Sequence, residues 1–99
     1  AKEHIIEEKK IMEKFFMALA KEQSKTAYGY EKVKKALEMG AVATLLISEA
    51  LEEEKVIELE TLAEQMGTDI KLISVDTKEG EQLRDLGKVG AILRYAMEI

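Results

Sequence analysis

A chain of 99 residues, 46% hydrophobic and 35% charged, has the length for one domain with a modest core and too much apolar content for a disordered segment. Its formal charge of −5 has the wrong sign for a stand-alone nucleic-acid binder, which uses a cationic excess to displace counterions from phosphates. It has no cysteine for a disulfide or thiolate metal site, and its longest uncharged apolar run, residues 40–48, is too short to cross a bilayer.

From the N-terminus, residues 3–21 have helical periodicity. Ile5, Ile11, Met12, Phe15, Phe16 and Leu19 share one broad face, while Glu7, Glu8, Lys10 and Lys14 lie largely opposite. Lys2, Glu3 and the charged run 7–10 leave no early apolar stretch for a signal peptide, so a cytoplasmic location is expected. The polar run 21–26 interrupts the pattern. Residues 26–30 (TAYGY) read as a short edge strand or an extended lead-in to the next element. Residues 31–39 form a second helix with Val33, Ala36 and Leu37 inward and Gly40 as its stop. AVATLLIS, residues 41–48, is continuously apolar and of strand length, as expected of a strand covered on both faces.

A third helix, residues 52–66, carries Val56, Leu59, Leu62, Ala63 and Met66 as its stripe and stops at Gly67. Residues 69–77 alternate as a strand. Asp76 is then placed to cap a fourth, short helix, with Glu79 at the capping-box position. That helix stops near Gly87, and residues 89–95 form a last apolar strand. Helices alternating with strands imply one α/β unit, with a parallel or mixed sheet covered by helices on both faces.

GEQLRDLGKVGAILRY, residues 80–95, raises the question of a phosphate-binding loop. Such a loop runs from a strand into a helix as G-x-x-x-x-G-K-[ST], so that helix amides and a hydroxyl meet the phosphates. Here Gln82 holds the first glycine position, Val89 replaces the hydroxyl residue, and the glycine ends a helix instead of opening one. Gly87 reads instead as a left-handed helix stop, and Gly90 as a point of close backbone packing. The single histidine, His4, is terminal, and Ser24 and Ser48 have no histidine near them in sequence. Glu7-Glu8 and Glu52-Glu53-Glu54 lack the ligand spacing and mid-loop glycine of a calcium loop. No catalytic, metal or cofactor site is expected, and the chain reads as a non-enzyme.

What remains is apolar excess. Ile6 lies outside the main face of the first helix, Met12 toward its edge, and Leu86 at the end of a short helix. Five methionines suit adaptable contacts as well as gap-filled cores, and Arg94 and Tyr95 are residue types enriched at interfaces. The residues alone therefore indicate an α/β binding module with a protein partner.

EEKKIMEKFF (7–16), TAYGYEKVKKALEMGAVATLLIS (26–48) and EGEQLRDLGKVGAILRY (79–95) together resemble the C-terminal domain of the archaeal and eukaryotic class-1 peptide chain release factor. The related domain of the ribosome-rescue factor Pelota is the close alternative. The resemblance implies a three-layer α/β/α sandwich with a mixed sheet of about four strands, related to the kink-turn-binding ribosomal proteins. It implies the single C-terminal domain of a larger cytoplasmic factor, which docks an elongation-factor-like translational GTPase and later the ribosome-recycling ABC ATPase. The ribosome is reached through the full-length factor, and neither a membrane nor direct RNA binding by this domain is implied. A stand-alone RNA-binding protein of the same fold is a further reading, which the acidic charge opposes.

Carried over by position, Met12 and Leu86 match apolar residues that resemble the family's GTPase-docking contacts, and Ile92, Leu93, Arg94 and Tyr95 match the motif supporting them. Gly80-Glu81-Gln82 is not the family's hydrolytic Gly-Gly-Gln, because its second residue is Glu and it is expected to open a helix. Two departures stand out. Release factors of this type carry an insertion after the strand ending near Ser48, whereas here Leu51 to Glu54 leads straight into the next helix. Lys88 stands where the family tends to have glycine.

Overall fold

The computed structural model describes residues 2–97, with side chains from Glu7 onward. The elements are α1 (Lys2–Lys21), a single 3-10 turn (Gln23–Lys25), β1 (Thr26–Tyr28), α2 (Tyr30–Glu38), β2 (Val42–Ser48), α3 (Glu53–Gln65), β3 (Asp69–Ile73), α4 (Lys78–Leu86) and β4 (Val89–Leu93). One four-stranded sheet has the order β1-β4-β2-β3. β2 and β3 are parallel and joined through α3, whereas β4 runs antiparallel to both β1 and β2. The sheet is mixed and TAYGY does supply an edge strand.

The apolar run of β2 is explained by its interior position. Leu45 and Ile47 point into one core with Val33 and Leu37 of α2 and Leu59 of α3. Leu46, between them, points into the other core with Met12 and Phe15 of α1, Ile73 of β3 and Leu83 of α4. Period-two alternation thus feeds two apolar layers from one strand. α2 and α3 cover one face of the sheet and α1 and α4 the other, the α/β/α sandwich expected.

Three local expectations are corrected. Asp76 does not cap α4: Thr77 does, its hydroxyl accepting from the Gly80 amide at 2.9 Å. Ser74 Oγ takes the Asp76 amide at 3.0 Å, which closes a turn and moves the helix start one residue on. β3 ends at Ile73, well short of residue 77, because that same turn intervenes. β4 ends at Leu93, because the chain then turns back, with the Met97 amide bonding the Ser24 carbonyl at 2.7 Å. Gly80, Glu81 and Gln82 lie within α4, as expected. His4, Ile5 and Ile6 have side chains outside the described set.

Candidate functional site: a groove between the end of α4 and the edge strand

α1 and α4 lie side by side on their face of the sheet, and this decides where the anticipated contact residues go. Gly90 permits the approach: a Cβ there would stand 2.8 Å from Cζ of Phe15. Met12 packs beside Phe15 and Leu83 with 0% of its surface exposed. A side chain with no accessible surface offers nothing to a partner, so Met12 is corrected from contact to core. Taken alone, the helix periodicity puts it at the edge of the apolar face of α1; α4 widens the covered face and puts Met12 in its interior.

The other five candidates separate. Leu86 and Ile92 are half-buried and pack on the same core as Met12. Leu93 belongs to the opposite core, at 5% exposure. Neighbouring strand residues point to opposite faces, so Ile92 and Leu93 cannot serve one surface together. Arg94 donates to backbone carbonyls of β2 and the α3–β3 turn. Tyr95 is 50% exposed beyond the strand end. Of the six, Leu86, Ile92 and Tyr95 keep surface available as apolar or aromatic contacts.

Leu86 faces an open groove of about 520 Å³ formed by the C-terminal half of α1, β1 and the end of α4. Leu19, Tyr28, Lys32 and Met97 line it with Leu86. Two close approaches build it. A Cβ on Gly87 would lie 3.1 Å from Cα of Gly29, and the Gly29 amide bonds the Val89 carbonyl at 2.9 Å. Gly87 and Gly29 both have positive φ, which glycine adopts without a Cβ clash. The Lys32 ammonium sits 5.4 Å from the centroid of the Tyr28 ring, so the groove has a cationic, aromatic margin. Its lining is mixed, with Gln23, Ser24 and Thr26 beside Leu19, Leu86 and Met97. From sequence Leu19 reads only as part of the apolar face of α1, Tyr28 only as part of a Tyr-Gly motif, and Met97 not at all. The signal was that motif, whose glycine makes the turn against Gly87.

Among the described residues no group of three or more potential metal-ligating acids or histidines comes together, and no helix is long and apolar enough to cross a membrane. The fold is a three-layer α/β/α sandwich with an open groove at Leu86. Residues 5–97 match the model of the family described as eRF1 domain 3, and the chain belongs to that family.

The Pelota homolog of Methanocaldococcus jannaschii is 35% identical over 102 residues, covering 99% of this chain and 28% of that protein. Peptide chain release factor subunit 1 of Thermococcus onnurineus is 30% identical over 140 residues, covering 94% of this chain and 34% of its own length. The chain thus spans about a third or less of the curated relatives it matches. Among solved structures, the Thermoplasma acidophilum Pelota protein aligns with TM-score 0.85 at 29% identity, over 95% of this chain and 30% of its own. Dom34 of S. cerevisiae, described as a translation termination-like factor interacting with Hbs1, aligns with TM-score 0.85 at 28% identity, over 94% and 28%. A ribosome-bound archaeal Pelota with ABCE1 aligns with TM-score 0.74 at 33% identity, over 98% and 27%.

Proposed function

We propose that this chain is the C-terminal protein-docking domain of a class-1 peptide chain release factor, and that the Leu86 groove receives an elongation-factor-like translational GTPase. The same domain then meets the ribosome-recycling ABC ATPase, and the ribosome is engaged through the full-length factor. The observation that carries this reading is that Leu86 of α4, distant in sequence, opens onto one groove with Leu19 of α1 and Tyr28 of β1. Family membership supports it, as do a relative that interacts with Hbs1 and another found with ABCE1 on the ribosome. Leu86 is half-buried and Tyr28 39% exposed, so covering what remains open of each would supply about 1 kcal/mol apiece before ordering costs.

Calorimetric titration of the chain with such a GTPase tests the reading. Leu86→Asp and Tyr28→Ala are each expected to weaken binding at least about tenfold. Tyr28 lies on the surface, so its variant keeps the test readable if Leu86→Asp unfolds. Unchanged affinity in both folded variants would overturn the assignment.

A second reading, the C-terminal domain of a ribosome-rescue factor, rests on one observation. The release-factor alignment runs over 140 positions, more than the 99 residues this chain holds, whereas the Pelota alignment runs over 102. Here β2 passes to α3 with only residues 49–52 between them, so the chain lacks a segment of the release factors. The reading of the coding region upstream of Ala1 decides: a Gly-Gly-Gln middle domain belongs to termination, and its absence from a preceding middle domain to rescue.

A further inference from the structure

We propose that a second groove, at the carboxyl ends of β2 and β3, receives an extended basic segment of a partner protein. This goes beyond the docking reading above and concerns a different place on the domain: about 16 Å of helix separates Glu8, at this groove, from Leu19, at the first.

The groove, about 390 Å³, lies where the N-terminal half of α1 meets the start of α3. Its base is apolar, made by Leu51, Val56, Leu72 and Ile73, and its rim is acidic, made by Glu8, Glu49 and Glu53. No lysine or arginine is among the described residues that line it. The Glu8 Oε2 is closed off from solvent and has no hydrogen-bond partner among the described residues. The Glu8 side chain as a whole is half-buried, and a donor seated in the groove is the partner this oxygen lacks. Leu72 is 58% exposed, although it lies on the sheet.

The sheet edge supplies the second half of the argument. β3 is an outermost strand, so its outward amides and carbonyls have no strand partner among the described residues. Its first half carries an ion pair, Lys71 to Asp69 at 3.9 Å, the kind of charge that blunts unwanted edge pairing. Its second half, Leu72 and Ile73 running into Ser74, carries none and borders the groove. An extended segment satisfies both demands, bonding the edge through its backbone while alternate side chains reach the apolar base and the acidic rim. Charge selects its chemistry. A second copy of a chain with formal charge −5 brings acid to acid, and a nucleic acid does the same, whereas a lysine- or arginine-bearing segment is the complement.

The test uses a short fluorescein-labelled peptide alternating lysine and valine, beside glutamate–valine and lysine–serine versions. Anisotropy is expected to show the lysine–valine peptide binding at least about tenfold more tightly than either other peptide. Amide shifts should fall on Leu72, Ile73 and Ser74. Leu72→Ser and Glu53→Gln, both at exposed positions that the fold does not depend on, should each weaken binding at least about threefold. Leu86→Asp should leave it unchanged, which separates this groove from the first. The proposal fails if the lysine–valine peptide does not bind, if the lysine–serine peptide binds as well, or if Leu72→Ser keeps wild-type affinity. It also fails if the shifts lie elsewhere, or if sedimentation shows a dimer that Leu72→Ser disrupts.

Discussion

The Arg94 Nη2 lies 3.1 Å from the carbonyl oxygen of Met66, at the C-terminal turn of α3, and 3.3 Å from that of Gly67. Its Nε donates to the Val42 carbonyl at 3.1 Å. The last turn of a helix leaves carbonyls without amide partners and carries the negative end of its dipole, and a planar guanidinium suits both. One side chain therefore ties the end of β4 to the start of β2 and to the α3–β3 turn. A residue type common at interfaces is used internally here.

Arg94→Ala should accordingly lower stability by about 1–2 kcal/mol, and Arg94→Lys, which keeps the charge but loses the fork, by about half as much. The urea midpoint measures this. GTPase affinity per folded molecule should not change; a variant with the wild-type midpoint and lost binding would make Arg94 a contact after all.

The approach of Phe15 to Gly90 sets the distance of α1 from the sheet. With a Cβ on Gly90 standing 2.8 Å from the ring, Gly90→Ala should cost about 1–3 kcal/mol by overpacking. In a Phe15→Leu background the same substitution should cost less, because the obstructing ring is gone. A double-mutant cycle by chemical denaturation reads the difference, and strict additivity would show that the two do not meet.

Lys88 holds a left-handed backbone, φ 71°, the one non-glycine residue with positive φ among those described. Its amide bonds the Leu83 carbonyl at 2.9 Å, so the conformation is fixed by the end of α4. This gives a backbone reason for the glycine that the family tends to have there. Lys88→Gly should raise stability by about 0.5–1 kcal/mol, the relieved Cβ contact outweighing the freedom gained by the unfolded chain. A lower melting temperature would contradict this.

Much of the architecture was legible because β2 advertises itself. Seven residues without a charge, between two helices with clear stripes, place a strand inside a sheet covered on both sides. Val33, Ala36 and Leu37 were legible for the same reason and are buried as read. What was not legible depends on neighbours distant in sequence. Asp76 and Thr77 are both competent caps, and the choice falls to Ser74, whose hydroxyl takes the Asp76 amide. Met12 is central only because α4 lies alongside α1. A four-letter stretch such as ILRY suggests one surface, yet the strand sends Ile92 and Leu93 into different cores. The groove at Leu86 needs three elements to converge; the sequence marked Leu86 and the Tyr28-Gly29 turn separately but not that they meet.

α2 and α3 are linked at the surface by Glu58, which accepts from the Tyr30 hydroxyl and pairs with the Lys34 ammonium at 3.2 Å. The Tyr30 hydrogen bond, then that of Lys34, holds the Glu58 carboxyl below its ordinary titration range. The hydrogen bond to Glu58 is also the main cause that raises Tyr30 and Lys34 above theirs. The depressed Glu58 contributes stability above the ordinary glutamate range, lost as pH falls through its folded value. The raised Tyr30 and Lys34 contribute below their ordinary ranges, and that is lost as pH rises through their folded values. The stability gap between wild type and Glu58→Gln should therefore be widest near neutral pH, close on both sides, and shrink with salt. Denaturation midpoints across pH check this; a gap independent of pH would mean that the cluster adds no charge-dependent stability.

The central claim is tested most directly by mapping the bound GTPase on the isotope-labelled chain by amide and methyl NMR. Docking at the Leu86 groove predicts perturbation concentrated on Leu19, Tyr28, Leu86 and Met97, with Ile57 and Met39 on the α2–α3 side unmoved. Perturbation confined to that opposite side, with the Leu86 methyls silent at saturation, would contradict it.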